Sequence, residues 1–418
     1  MQAKCKSAVI AGGGIVGLTC ALRLLRQGIA TTIVSPDEAT PPASWGNAGH
    51  IAVEQVEPLA SRKAMKEALR VLVAGGGAIS APLGDIRTWA PFFLRLARAS
   101  GGARFRAGTA ALGACMQRAM PAWRALLADL GQPELLIEDG HFVVWESART
   151  ARQGQRSWRD ATLGPASFRT ATRDEFERLA GLIGKQPAGA IRFEGSGQVA
   201  DPGLLLDSLL RAITAAGGER VKSRARTITI GRDGQAAVDT GDGKSLSADA
   251  IIVTAGVESG PLLSPTGSVV PIIAERGYHI QAPTNAWPAT MPPVVFEDRA
   301  MIVTRFLTAL RASSFVEFAR FERPPTQAKW ARLQRHVTEL GLPIRPPVSL
   351  WMGARPTLPD YLPAIGQSRR AANLFYAFGH QHLGLTLAAI TAEVVADLVC
   401  RRTPFVDPKP FDIERFAS

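Results

Sequence analysis

Gly12-Gly13-Gly14-Ile15-Val16-Gly17 sets three glycines at the spacing GxGxxG, after an apolar run and ahead of an amphipathic one. The chemistry that spacing serves is the holding of a pyrophosphate. Gly12 permits the tight turn, Gly14 lets the backbone approach the phosphates, and Gly17 allows the helix to pack closely on the strand. Ile15 and Val16 open the helix, whose unpaired N–H groups and partial positive charge face the anion. In such units an acidic residue at the end of the second strand holds the ribose hydroxyls. Here Ser35 takes that place, with Asp37 and Glu38 after it. Either Ser35 bonds the ribose, more weakly than a carboxylate, or Asp37 folds back to it. Cys5, Cys20, Cys115 and Cys400 form no CxxC pair and have no histidine at metal-ligand spacing. Neither a disulfide framework nor a metal site is therefore expected.

The turn needs a strand, a helix and a second strand around it. The apolar pattern supplies them at residues 7–11, 15–27 and 30–34, with Gly28 closing the helix. A loop of small and polar residues follows at 41–57. Residues 64–110 read as helix in pieces, broken at Gly75-Gly76-Gly77 and Gly101-Gly102, with further helices at 123–130, 203–216 and 328–340. Alternating strands fill 271–320, short strands fall at 141–146, 250–254 and 374–377, and an alanine-rich helix runs to Leu398. A chain of 418 residues with this pattern fits two domains of α/β character.

Hydrophobic residues make up 46% and charged residues 20%, a composition that excludes a disordered chain. Lys and Arg outnumber Asp and Glu by 48 − 36 = 12. Such a surface attracts carboxylate substrates, anionic lipid headgroups or nucleic acid, unless it is simply solvated charge. Lysines precede the first apolar run, but its glycines break it, and no stretch reaches the roughly 18 apolar residues of a spanning helix. The expected location is cytoplasmic, soluble or peripheral on the inner face of the cell membrane.

Several further segments are recognisable together: SWGNAGHI at 44–51, IIVTAGVES at 251–259, RGYH at 276–279, GARPTLPDYLPAIG at 353–366 and FGHQHLGLT at 378–386. With the glycine turn, and in this order, they resemble the D-amino-acid oxidase and dehydrogenase superfamily of FAD enzymes, closest to its bacterial D-amino-acid dehydrogenase branch. The resemblance runs from about residue 7 to 398. It implies an α/β fold with a discontinuous Rossmann-like FAD-binding domain (1–60, 196–262 and 346–418) and a mixed-sheet α+β substrate domain (61–195 and 263–345). It also implies roles by position. Ser44, Trp45, Gly49, His50 and Ile51 lie where the family's loop wraps pyrophosphate and flavin. Thr227 falls where backbone groups meet the adenine, and Ala255 with Gly256 closes over the ADP portion. Gly379, His380, Gln381, His382, Leu383, Gly384, Leu385 and Thr386 run beneath the flavin ring, with Leu383 and Gly384 offering N–H groups to its O2 edge. No cysteine falls in these motifs, so the FAD is expected to be noncovalent.

Oxidation of an amino acid by a flavin requires a neutral amine, a Cα–H aimed at N5 and an anchor for the carboxylate. A guanidinium binds a carboxylate bidentately in one plane and so fixes its orientation. The resemblance gives that role to Arg355 of the GxRP motif, with Arg311 in reserve. Tyr278 offers a second bond to the carboxylate, or is a core tyrosine. His50 and His382 fall in flavin-facing loops, where an imidazole titrating near neutrality accepts the amine proton or balances charge on the reduced ring; a structural histidine is the plain alternative. Glu54 either recognises a charged ring nitrogen or hydroxyl, or is exposed. The implied reaction is hydride transfer from the Cα–N bond of a D-amino acid. The close alternative is a D-proline or cis-4-hydroxy-D-proline dehydrogenase; from another class comes a flavin-holding subunit without turnover, against which an arginine and a tyrosine set for a carboxylate argue. Oxygen, a quinone or a partner protein reoxidises the flavin, and nucleic acid is not an expected partner. Residues 87–106, with Trp89, Phe92, Phe93 and Leu94 beside five arginines, either rest on an anionic membrane or form an ordinary substrate-domain helix.

Overall fold

A computed structural model describes residues 5–37, 41–58, 77–283 and 286–417. The glycine turn leaves the middle of a six-stranded sheet. Its order is Glu219–Val221, Ala30–Val34, Ser7–Ala11, Ala250–Val253, Leu374–Phe378 and Ala364–Gln367. The first five strands are parallel and the last is antiparallel. The strands that flank the turn are nearly continuous apolar runs because both their faces are covered. On one face Ala8, Ile10, Ile33 and Ile252 pack under the helices Ile15–Leu25, Gly102–Asp129, Pro202–Ala215 and Gly384–Val399. On the other, Val9, Ala11, Val34 and Val253 meet Ile228, Ala236 and Val238 of a three-stranded antiparallel sheet.

The second body is a nine-stranded mixed sheet running Ser349–Thr357, Ile273–Ala282, Leu310–Ala319, Met301–Arg305, Val294–Phe296, His141–Trp145, Gly189–Glu194 and Ser167–Thr170, with Ile79–Ser80 beside Leu310–Ala319. The helix Gln327–Glu339 buries Trp330, Leu333 and Val337 on one of its faces. A small sheet of His50–Ile51, Gly197–Val199 and Leu136–Ile137 joins the two bodies.

Two expectations change. The strand Ser349–Thr357, assigned by sequence to the nucleotide-binding part, instead pairs along its whole length with Ile273–Ala282 at the edge of the large sheet. Residues 123–130 are not a separate helix but the end of Gly102–Asp129. In residues 64–110 the helices Ile86–Ala99 and Gly102 onward are present, and residues 64–76 lie outside the described residues. The Ile86–Ala99 helix buries Phe92 and Leu96 and leaves Leu94 exposed. The apolar stretch Gln381–Val399 has the length of a spanning helix but is 72% buried inside the protein, as a core helix is.

Candidate functional site

The glycine turn is fitted to its neighbours on three sides and open on the fourth. Gly12 has φ +125°, and a Cβ on it would lie 2.6 Å from the Thr254 carbonyl. A Cβ on Gly17 would lie 2.0 Å from the Gly12 carbonyl oxygen, and one on Gly13 would lie 2.7 Å from Ser35 Oγ. Above Gly14 the one neighbour among the described residues is Ser44 Oγ at 3.5 Å, so the turn is open on this side. Ser44 Oγ also accepts the Ile15 N–H at 3.0 Å, at the helix start. Thr254 was missed in the sequence. Its hydroxyl donates to the Gly12 carbonyl at 3.0 Å and its N–H to the Ala11 carbonyl at 2.8 Å, fastening the third strand to the turn. The available signal was a lone threonine ending an apolar strand.

At the ribose end, Ser35 is buried against the turn and accepts Arg220 Nε at 3.0 Å, while Arg220 Nη2 donates to the Pro36 carbonyl. Asp37 is exposed and bonded to Lys222 Nζ at 2.9 Å, and that ammonium lowers its carboxyl below the usual range. Thr227 is half-buried beside a register shift in the small antiparallel sheet. Gly256, after Ala255, has φ +59° and open space where a side chain would stand.

The 44–50 loop is gripped by Arg311, which donates Nη1 to the Trp45 and Asn47 carbonyls and Nε to Gln281 Oε1. Its guanidinium lies over the rings of Trp45 and Phe306, and burial pushes its pKa down to about 10. The reserve anchor thus serves as a clamp on the loop. Gly46 fits under the Trp351 ring, 2.2 Å from where a Cβ would be.

The two loops of the flavin motifs meet. Ala52 N–H donates to Thr386 Oγ1 at 3.0 Å, His382 Nε2 bonds Gln55 Oε1, and Trp123 Nε1 donates to the Leu385 carbonyl at 3.0 Å. A bridge between Thr357 and His380 brings the Arg355 strand alongside. Arg355, and His50 when protonated, lie close enough to His382 to disfavour its protonated form. The titration of the two histidines differs from the sequence expectation. Burial pushes His382 down to about 3 and His50 to about 4, because a desolvated imidazolium is costly. Neither titrates near neutrality. His380 is likewise pushed to about 3 and bonds Thr391 Oγ1 at 3.0 Å. Gln381, at φ +49°, holds the Tyr361 carbonyl. The Leu383 N–H, expected to face the flavin, donates to the His380 carbonyl. The helix Gly384–Val399 begins there without a side-chain cap, and the first N–H groups of a helix have no intrahelical partner.

Arg355 is 28% exposed; Nη1 donates to the Phe315 carbonyl at 3.1 Å and lies 3.4 Å from Glu275 Oε1. A Cβ on Gly277 would lie 2.5 Å from Arg355 Nη2, so the guanidinium rests flat over this glycine. Tyr278 is not in that group. Alternation along Ile273–Ala282 puts Glu275 and Gly277 towards Arg355 and turns Tyr278 to the other face. There its hydroxyl donates to Glu317 at 2.6 Å and accepts the Thr326 N–H at 3.1 Å, beside buried Arg276. The tyrosine near Arg355 is Tyr361, whose hydroxyl reaches Glu275 Oε2 at 3.4 Å and whose pKa rises through burial and the Glu275 charge.

The profile of the family described as FAD dependent oxidoreductase matches residues 7–398. A D-amino-acid oxidase of Bradyrhizobium diazoefficiens is 29% identical over 417 residues, covering 97% of this chain and 98% of that one. A D-amino acid dehydrogenase of Cereibacter sphaeroides is 28% identical over 450 residues, covering 98% and 95%. Among solved structures, glycine oxidase from Geobacillus kaustophilus superposes with a TM-score of 0.73 at 20% identity, covering 98% of each chain.

Proposed function

The chain belongs to the family of FAD dependent oxidoreductases, and from that premise we propose that it oxidises the Cα–N bond of a small D-amino acid whose carboxylate is held by Arg355. The observation that carries this reading is the Arg355 guanidinium lying over Gly277, partly exposed and within electrostatic reach of His382. FAD, when bound, supplies the hydride acceptor. The residues do the rest. Gly14 and the first turn of Ile15–Leu25 receive the pyrophosphate, the start of Gly384–Val399 supplies N–H donors to the flavin ring, and Arg355 orients the carboxylate. The two relatives named for D-amino acids support the substrate class. The deciding experiment is anaerobic mixing of the flavin-loaded protein with D- and L-amino acids, glycine, D-proline and cis-4-hydroxy-D-proline. Flavin bleaching by D-amino acids is the expected result. Bleaching confined to the two cyclic imino acids would narrow the reading to them, and a flavin that stays oxidised throughout would overturn it.

His382 is neutral over the working pH range, so the site offers no imidazole base that ionises near neutrality. The substrate must arrive with its amine deprotonated. The logarithm of kcat/KM should therefore rise with pH at a slope of about one and level off at the substrate's own amine pKa. Two substrates with well-separated amine pKa values check this: the break should move with the substrate, and a fixed break near pH 6.5 would point to a histidine base.

At the other end of the cofactor, we propose that Ser35, oriented by Arg220, bonds the ADP ribose. One hydrogen bond contributes about 0.5–1.5 kcal/mol. Ser35→Ala should therefore weaken FAD binding by roughly 2- to 13-fold, while Asp37→Ala leaves it unchanged. Fluorescence titration of the apoprotein reads both, and the reverse order would reassign the ribose to Asp37.

A further inference from the structure

Three side chains from two separate stretches of the chain, one of them His50 at the edge of the candidate site, meet in a buried cluster to which the proposed oxidation gives no role. His50 opens the short strand His50–Ile51, Glu54 follows on the same loop, and His141 begins the strand His141–Trp145 of the large sheet. His50 Nε2 and His141 Nε2 each lie 3.9 Å from the same oxygen, Glu54 Oε1. The three ligand atoms fall within 4.8 Å of one another. The side chains are 10%, 2% and 3% exposed, and among the described residues His50 Nε2 and Glu54 Oε2 have no hydrogen-bond partner.

A separation of 3.9 Å is too long for a hydrogen bond. Unpartnered polar atoms in a dry interior cost free energy. The same separation is close to that of two ligands on one ion: with bonds of about 2.0–2.1 Å in tetrahedral geometry, ligand atoms stand about 3.4 Å apart. The outer support is present as well. His141 Nδ1 is 2.9 Å from Ser196 Oγ, and the ring stacks on Phe193 at 4.5 Å with an interplanar angle of 4°. A proton on Nδ1, donated to Ser196, leaves the Nε2 lone pair aimed at Glu54, the usual arrangement behind a ligating imidazole.

We propose that His50 Nε2, the Glu54 carboxylate and His141 Nε2 bind one divalent transition-metal ion, zinc(II) being the best match. Two imidazoles and a carboxylate suit zinc and its late first-row neighbours, whereas calcium and magnesium take all-oxygen sites. The metal-free protonation states agree. Burial pushes the Glu54 carboxyl up to about 8 and His50 down to about 4, and holds His141 well below its ordinary value. At neutral pH the imidazoles are therefore in the form that coordinates, and the carboxyl carries one proton. Binding exchanges that proton for the ion: Glu54–COOH plus Zn²⁺ gives the zinc carboxylate and one H⁺, with no change of oxidation state. The ion ties the loop carrying the SWGNAGHI motif to the large sheet.

The test uses the full-length, flavin-loaded protein, stripped with a chelator, dialysed and titrated with Zn²⁺ by calorimetry in two buffers of different ionisation enthalpy. One equivalent should bind with release of about one proton, and Co²⁺ should give the visible d–d bands of a low-coordinate site. Glu54→Gln and His141→Asn should each weaken binding at least 100-fold, and Ser196→Ala by roughly 10- to 100-fold as a supporting partner. His336→Asn, outside the cluster, should bind as the wild type does. Absence of stoichiometric binding to the wild type overturns the proposal, whatever the variants do. So does wild-type affinity in Glu54→Gln and His141→Asn chains whose flavin spectrum shows them folded.

Discussion

Gly17→Ala is expected to give a protein without flavin. The added Cβ would stand 2.0 Å from the Gly12 carbonyl oxygen and 2.7 Å from Thr254 Oγ1, where such contacts are essentially never under 3.0 Å. Neither neighbour can yield. Gly12 is pinned by its N–H to the Val34 carbonyl at 3.0 Å, and the Thr254 hydroxyl is bonded to the Gly12 and Ala11 carbonyls. The helix Ile15–Leu25 must instead shift by about 1 Å, at an overpacking cost of about 1–3 kcal/mol. Its N-terminal N–H groups then miss the phosphates. FAD affinity should fall at least 100-fold, with a lower melting temperature of the apoprotein. Gly14→Ala supplies the contrast. Among the described residues its Cβ meets Ser44 Oγ alone, at 3.5 Å, so the apoprotein should melt as the wild type does while the methyl blocks the proposed approach of the pyrophosphate. Flavin absorbance after gel filtration, with apoprotein melting curves, reads both variants. A Gly17→Ala protein that keeps its flavin would mean that the turn does not hold the diphosphate.

What the sequence made legible follows from how local each feature is. The phosphate turn could be read residue by residue because strand, glycines, helix and second strand all lie within the first 34 residues. Its fifth participant, Thr254, follows a strand far along the chain and enters only through the parallel register of Ser7–Ala11 with Ala250–Val253. The two readings of Tyr278 stayed open because which face of a strand looks at the site depends on pairing. Once Gly353 stands opposite Gly277, the parity of the strand turns Tyr278 away. No strand was read at 349–357, where Pro356 sits on the edge strand of the large sheet, a position at which a proline is tolerated. Glu54 sat among Ile51, Ala52, Val53 and Val56, a charged residue in an apolar run. That was a usable sign of burial, but its partner His141 lies 87 positions away and only the folded chain reveals it.

Arg355→Ala should raise KM for a D-amino acid by roughly 30- to 1000-fold and lower kcat with the flavin still in place. A charge-assisted bidentate contact that is truncated costs about 2–4 kcal/mol, and each 1.4 kcal/mol is a factor of ten. kcat falls with it because the carboxylate sets where the Cα–H points. Arg355→Lys separates charge from geometry. An ammonium keeps the attraction but not the planar fork, so KM should recover in part while kcat stays low. The competing explanation is indirect: removing the guanidinium leaves buried Glu275 with Thr357 and Tyr361 as its partners among the described residues, and the strand itself is disturbed. Adding Glu275→Gln to Arg355→Ala decides between the two. If the arginine holds substrate, the double variant stays as impaired as the single one. If activity returns when the buried charge is removed, Arg355 acts on Glu275 and the carboxylate is anchored by another residue.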